Sequence, residues 1–184
     1  MTSSYLAPIS WYRALRANPD AIIDADEHYV KQTIRNRCTI AMPDGPQHLI
    51  IPVEGASSHV AMRDIRISEH GNWRHHHWNA LRTAYGKSPF FEYYADEFAP
   101  FFHARTHDYL LDFNAALHDV VCRLIDITQP VPPAQRRLLA DGTPQPYYQV
   151  FAPRLGFLPD LSIVDLLFNM GPEAIFYLDG YSGR

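Results

Sequence analysis

Nothing in this chain approaches the roughly 18–20 consecutive apolar residues that a bilayer-spanning helix requires, so any membrane association is expected to be peripheral. Cysteine is scarce. Cys38 and Cys122 are the only two among 184 residues, too few for a disulfide framework. No positively charged start followed by an apolar stretch opens the chain, and we expect a reduced, cytoplasmic protein. Positive charge is also short: a formal net charge of −4 lacks the basic footprint of a nucleic-acid surface, which removes DNA and RNA as expected partners. Neither Gly-x-Gly-x-x-Gly nor the full phosphate loop Gly-x-x-x-x-Gly-Lys-Ser/Thr occurs, and no Gly-x-Ser-x-Gly elbow marks a hydrolase. What remains has 47% apolar and 20% charged residues, the balance of an ordinary globular protein. The length suits a single domain over 1–184.

Along the chain, Pro8 precedes Ile9, Trp11, Tyr12 and Leu15, a periodic stretch that predicts a short helix ending before Pro19. Ala21-Ile22-Ile23-Asp24 reads as a buried strand. Residues 34–42 and 49–53 read as strands joined at Pro43-Asp44-Gly45-Pro46, whose Asp-Gly pair favours a hairpin turn, and 64–68 as a further strand. From residue 71 the pattern becomes helical, with Asn72 as N-cap, Trp73, His77, Leu81 and Ala84 on one face, and Gly86 as the stop. Ser88-Pro89 predicts a restart, with the helix ending near Pro100. Leu110, Phe113, Leu117, Val120, Leu124 and Ile127 form the strongest amphipathic stripe. A proline-rich loop follows at about 128–146, then a strand at 147–151. Ser162 and Asp165 fit a capping box, with Leu161 stapled onto Leu166. Asn169-Met170-Gly171-Pro172 ends that helix and begins another. The expected class is α/β: a small mixed sheet, with a strand-helix-strand opening and an antiparallel hairpin, packed with a helical C-terminal half.

The chemistry concentrates first in Lys31-Gln32-Thr33-Ile34-Arg35-Asn36-Arg37-Cys38. Read as a strand, alternation puts Lys31, Arg35 and Arg37 on one face and Ile34, Cys38 and Ile40 on the other. Such a row is either an edge strand protected by positive charge or a site for an anion. Tyr85-Gly86-Lys87-Ser88-Pro89 offers a second place, where a new helix N-terminus beside Lys87 could meet negative charge. His77 stands on the apolar side of its helix, a placement more typical of a satisfied core residue than of a base. Neither His75-His76-His77, which fan around a helix, nor His103 and His107, which lack a third partner, specifies a metal site, and we assign no metal and no cofactor. Strand alternation directs Cys38 away from the arginines, against a nucleophilic role.

Lys31-Gln32-Thr33 with Arg35-Asn36-Arg37, Trp73 with His77-Trp78, 85–91 and 161–174 together resemble the WbqC-like family in order and spacing, over roughly residues 5–178. The resemblance implies a link to O-antigen and other surface polysaccharides, and a transferase that moves glycine or another small acyl or aminoacyl group to an amino-sugar precursor. On that reading Lys31, Arg35, Asn36, Arg37 and Trp73 bind a small-molecule substrate such as a sugar nucleotide or aminoacyl donor. His77 acts as base, and Tyr85 and Lys87 orient substrate or stabilise developing charge. The alternative is a non-catalytic binding or scaffold protein that recognises an anionic glycan precursor. Self-association is compatible with the aromatic content. Both readings require the cations to line one concave pocket, and the catalytic one requires His77 to face it.

Overall fold

The computed structural model describes residues 1–18, 20–55, 59–127, 131, 136, 139 and 145–180. The first helix, α1, runs Ile9–Ala17 from an extended N-cap at Pro8, as the periodicity predicts. A hairpin follows: β1 (Arg37–Met42) pairs antiparallel with β2 (Gly45–Ile50). Met42 faces Gly45 across a two-residue Pro43-Asp44 loop, and Gly45 takes φ +129°, a backbone open to glycine at no steric cost. Two short strands, β3 (Val53–Glu54) and β4 (Arg66–Ile67), form a second antiparallel pair.

Helices then dominate: α2 (Trp73–Tyr85), α3 (Phe91–His103), α4 (Leu110–Ile125), a single turn α5 (Ala152–Leu155), α6 (Ile163–Met170) and α7 (Ala174–Leu178). The chain is thus mixed α/β with a helical C-terminal half. Every residue of α6 is buried: its apolar side chains enter the core, and its two polar ones, Asp165 and Asn169, are buried with hydrogen-bond partners. Phe168 anchors it, with edge-on contacts to Phe91 and Phe98 at 5.1 and 5.5 Å. At its end Gly171 has φ +55°, and a Cβ there would lie 2.5 Å from the Phe90 ring. Only glycine allows that approach.

Several elements differ from expectation, for reasons visible in tertiary contacts. Residues 21–24 form no strand, and Ile22 is 78% exposed; the segment is tied to the N-terminus instead, where Asp24 N–H donates to the Met1 carbonyl at 3.0 Å. Residues 147–151 are irregular, not a strand. Ser88 does not begin α3. Its hydroxyl donates to the Tyr85 carbonyl at 2.6 Å, which closes α2, and α3 starts at Phe91. That helix also runs through Pro100 to His103, because Pro100 lies on the exposed face while Phe102 stacks on Trp78 at 5.8 Å. Packing outweighs a break that costs about 3 kcal/mol. On α4 the buried stripe continues through Val121 and Ile125, not Val120 and Leu124, and it includes Asn114. Most of 128–146, the expected proline-rich loop, lies outside the described residues.

Candidate functional site

The strand expected across residues 31–36 is a run of turns, and β1 begins only at Arg37. Gln32 takes φ +59°, a left-handed conformation uncommon for a residue other than glycine. The segment is held from several sides: Tyr5 N–H donates to the Ile34 carbonyl at 2.9 Å, and Asn114 Nδ2 to the Arg35 carbonyl at 2.8 Å. These bonds turn Arg35 inward.

Arg35 is therefore not one of a row of ligand groups. Its side chain, 12% exposed, pairs with Glu27 Oε2 at 2.6 Å. Glu27 also accepts from the Thr2 hydroxyl at 2.6 Å and the Ser3 N–H at 3.1 Å. Together these groups form a clamp on the N-terminal segment. The Arg35 charge is matched by Glu27, while its Nε, like that of Arg37, is buried without a hydrogen-bond partner.

Arg37 stands differently. From this residue onward strand alternation holds: Cys38 and Ile40 enter the core, while Arg37 and Thr39 share the outer face with their cross-strand partners Ile50 and His48. Arg37 lines a cleft of about 320 Å³ with Tyr29, Lys31, Gln32, Asn36, Ile50 and Val53. Among the described residues no carboxylate lines it. Arg37 Nε is buried without a hydrogen-bond partner. Asn36 is 6% exposed and donates through Nδ2 to the Ile51 carbonyl at 2.8 Å, which leaves its buried Oδ1 unpartnered. Two cations and an unpartnered guanidinium donor suit an anion, whereas the unpartnered Asn36 Oδ1 is an acceptor and suits a donor such as a hydroxyl.

The expected catalytic residues lie elsewhere. His77 is 5% exposed, between Trp73 at 5.1 Å and Tyr5, whose hydroxyl is 2.9 Å from Nδ1. Burial pulls its pKa down to about 4, so it is a neutral core imidazole at pH 7. Trp73 is buried and donates Nε1–H to the Ser68 carbonyl at 3.0 Å. Lys87 is exposed in the turn after α2. Of the expected residues, Lys31, Asn36 and Arg37 meet in one cleft; Arg35, Trp73, His77, Tyr85 and Lys87 do not line it.

Tyr85 belongs to a second buried group. The Asp165 carboxyl, 1% exposed, accepts from Tyr147 Oη at 2.5 Å and Gln149 Nε2 at 3.1 Å. Tyr85 lies beside it outside hydrogen-bond geometry. Desolvation raises the Asp165 pKa, which these donors only partly offset. The capping box is thus replaced: Ser162 holds the N-cap position, but its hydroxyl donates to the Leu6 carbonyl at 2.7 Å, and Asp165 turns to Tyr147. Cys38 is buried in the core, and desolvation pushes its thiol far up. Among the described residues no group of three or more His, Cys, Asp and Glu side chains is arranged for a metal ion. His103 packs edge-on against Trp78 and His107 stacks on Phe101.

Among the lining residues that sequence reasoning did not put in a site are Tyr29 and Gln32 in the cleft of Arg37, and Thr39, His48 and Asp160 in an adjoining one of about 290 Å³. A two-residue hairpin loop would have placed Thr39 opposite His48. The others depend on long-range folding.

A family model described as the WbqC-like protein family matches residues 3–143. The uncharacterised protein Rv1507c of Mycobacterium tuberculosis is 25% identical, over 96% of this chain and 94% of that protein. No solved structure matches significantly. Among the described residues no helix is long and apolar enough to cross a membrane.

Proposed function

This chain belongs to the WbqC-like protein family, and we propose that it recognises an anionic glycan precursor of a surface polysaccharide, held by its phosphate or carboxylate in the cleft of Lys31, Asn36 and Arg37. The observation that carries this reading is a cleft lined, among the described residues, by two cations and no carboxylate, with an arginine Nε buried and unpartnered. A guanidinium presents two parallel donors to a phosphate or carboxylate. Lys31 adds charge at the rim, and the Asn36 and Gln32 amides supply orientation. His77 and Tyr85, the base and orienting group of the transferase reading, sit in the core away from the cleft, so the geometry supports recognition over group transfer.

Titration calorimetry with inorganic phosphate and pyrophosphate tests this. Wild type should bind both, and Arg37→Met should weaken binding at least about tenfold, the loss of roughly 1.4 kcal/mol expected for one charge-assisted contact. Binding unchanged in Arg37→Met and Lys31→Met would overturn the proposal.

A further inference from the structure

Arg37 and Gln32 line both clefts, so the two hollows meet across the same pair of side chains. The second is bounded by Pro8, Thr33, Thr39, His48, Asp160 and Ser162, among others. Its chemistry differs from the first. Among the described residues the first has two cations and no acid; the second is lined by one carboxylate, Asp160, besides the shared arginine, which discourages further negative charge there. Around it stand hydroxyl groups and an imidazole. Asp160 is held in place by the Ser10 N–H at 2.7 Å and the Ser10 hydroxyl at 2.9 Å. His48 and Thr39, a cross-strand pair, meet at 3.0 Å between Nδ1 and Oγ1. The Thr39 hydroxyl and the His48 imidazole can donate and accept, and the Asp160 carboxylate only accepts, a set that suits hydroxyls and not an anion or an apolar ring.

Size points the same way. Each cleft alone falls near the bottom of the range of about 300–1,000 Å³ occupied by small-molecule sites, and joined they lie inside it. The residue at the junction, Gln32, is held at φ +59°. A strained conformation persists where the surroundings impose it, and such residues gather at ligand sites.

We infer that the second cleft is a polyol subsite: the ligand is a phosphate ester whose charged group lies on Arg37 and Lys31 and whose uncharged, hydroxyl-bearing part extends over Thr39, His48 and Asp160. This rests on the first cleft being the anion site. His48 and Thr39 then set specificity while Arg37 sets affinity for the charge.

The test compares inorganic phosphate, glycerol 1-phosphate, glucose 1-phosphate and phenyl phosphate by calorimetry on the full chain. Wild type should bind at least one hydroxylated ester about tenfold or more tightly than phosphate, and phenyl phosphate no more tightly. In His48→Ala and in Thr39→Val that advantage should fall severalfold while phosphate affinity stays unchanged. Both positions are on the outer face of the hairpin, and a thermal melt of each variant confirms folding. Hydroxylated esters that bind no better than phosphate, or an advantage that survives both substitutions, would overturn the polyol subsite and leave the anion site standing. If no probe binds wild type, or if Arg37→Met changes nothing, both readings fall.

Discussion

Arg35 and Arg37 are two residues apart, yet Arg35 is held in an ion pair with Glu27 while Arg37 lines the cleft proposed for a ligand, and replacing each by methionine separates the roles. In Arg35→Met the Glu27 carboxylate keeps the Thr2 hydroxyl and the Ser3 N–H but loses its counter-ion, with only 15% of its side chain exposed. Removing one partner of a buried pair costs about 3–5 kcal/mol, and the residual hydration of this pair points to the lower figure. For a chain of this length each kcal/mol moves the melting temperature by about 2–4 °C, so about 3 kcal/mol should lower Tm by about 6–12 °C. Arg37→Met breaks no ion pair, and its expected change is within about 0.5 kcal/mol, or about 2 °C. Thermal and urea unfolding followed by circular dichroism gives both numbers. The double variant Glu27→Gln/Arg35→Met removes the stranded charge and should recover at least about 1 kcal/mol relative to the sum of the single changes. Phosphate titration of the same proteins supplies the other axis: Arg35→Met should bind as wild type does and Arg37→Met at least about tenfold more weakly. An Arg35→Met protein with Tm within about 2 °C of wild type and no phosphate affinity would refute the reasoning, because it would place Arg35 in the site.

Two buried groups titrate in opposite senses. His77 has its pKa lowered to about 4 by burial, against about 6.5 in the unfolded chain, so native stability is full above about pH 6.5 and falls as pH drops toward 4. At 1.36 kcal/mol per pH unit the loss is about 3 kcal/mol, and urea midpoints of His77→Gln measured from pH 7 to 4 should show a shallower decline. Asp165 has its pKa raised by desolvation, so the native state holds that proton more tightly than the unfolded chain. Stability declines as pH rises from the ordinary carboxylate range through the raised value; Asp165→Asn should abolish that decline and melt at pH 8 no lower than wild type, whereas a variant less stable at every pH would show that Tyr147 and Gln149 require the carboxylate. Burial pushes the Cys122 thiol up to about 12 and Cys38 higher, so neither should react with a disulfide reagent at pH 8 until urea unfolds the chain. A native thiol that reacts within minutes would contradict that.

Local pattern was enough for the presence of α1, the hairpin, α2 and α4, where hydrophobic periodicity agrees with what packing requires, although the buried stripe of α4 shifts to Val121 and Ile125. For His77, a place beside Trp73 and Leu81 on an apolar face favours the core while the resemblance implies a base, and the side chain lies in the core. Local pattern failed where the answer lay far along the chain. Ser162-x-x-Asp165 satisfies a capping box on spacing alone, but Leu6 and Tyr147, both brought in by folding, claim those side chains. Residues 31–36 carry a strand-like alternation of charge, but contacts from Tyr5 and Asn114 bend them into turns. The cationic row dissolves for the same reason. Whether an arginine serves the fold or a ligand depends on where the nearest carboxylate falls in three dimensions: Glu27 meets Arg35 at 2.6 Å, and the cleft of Arg37 and Lys31 has none among the described residues. Charge pattern in the sequence identifies candidates for anion binding, and only the distribution of acids in space selects among them.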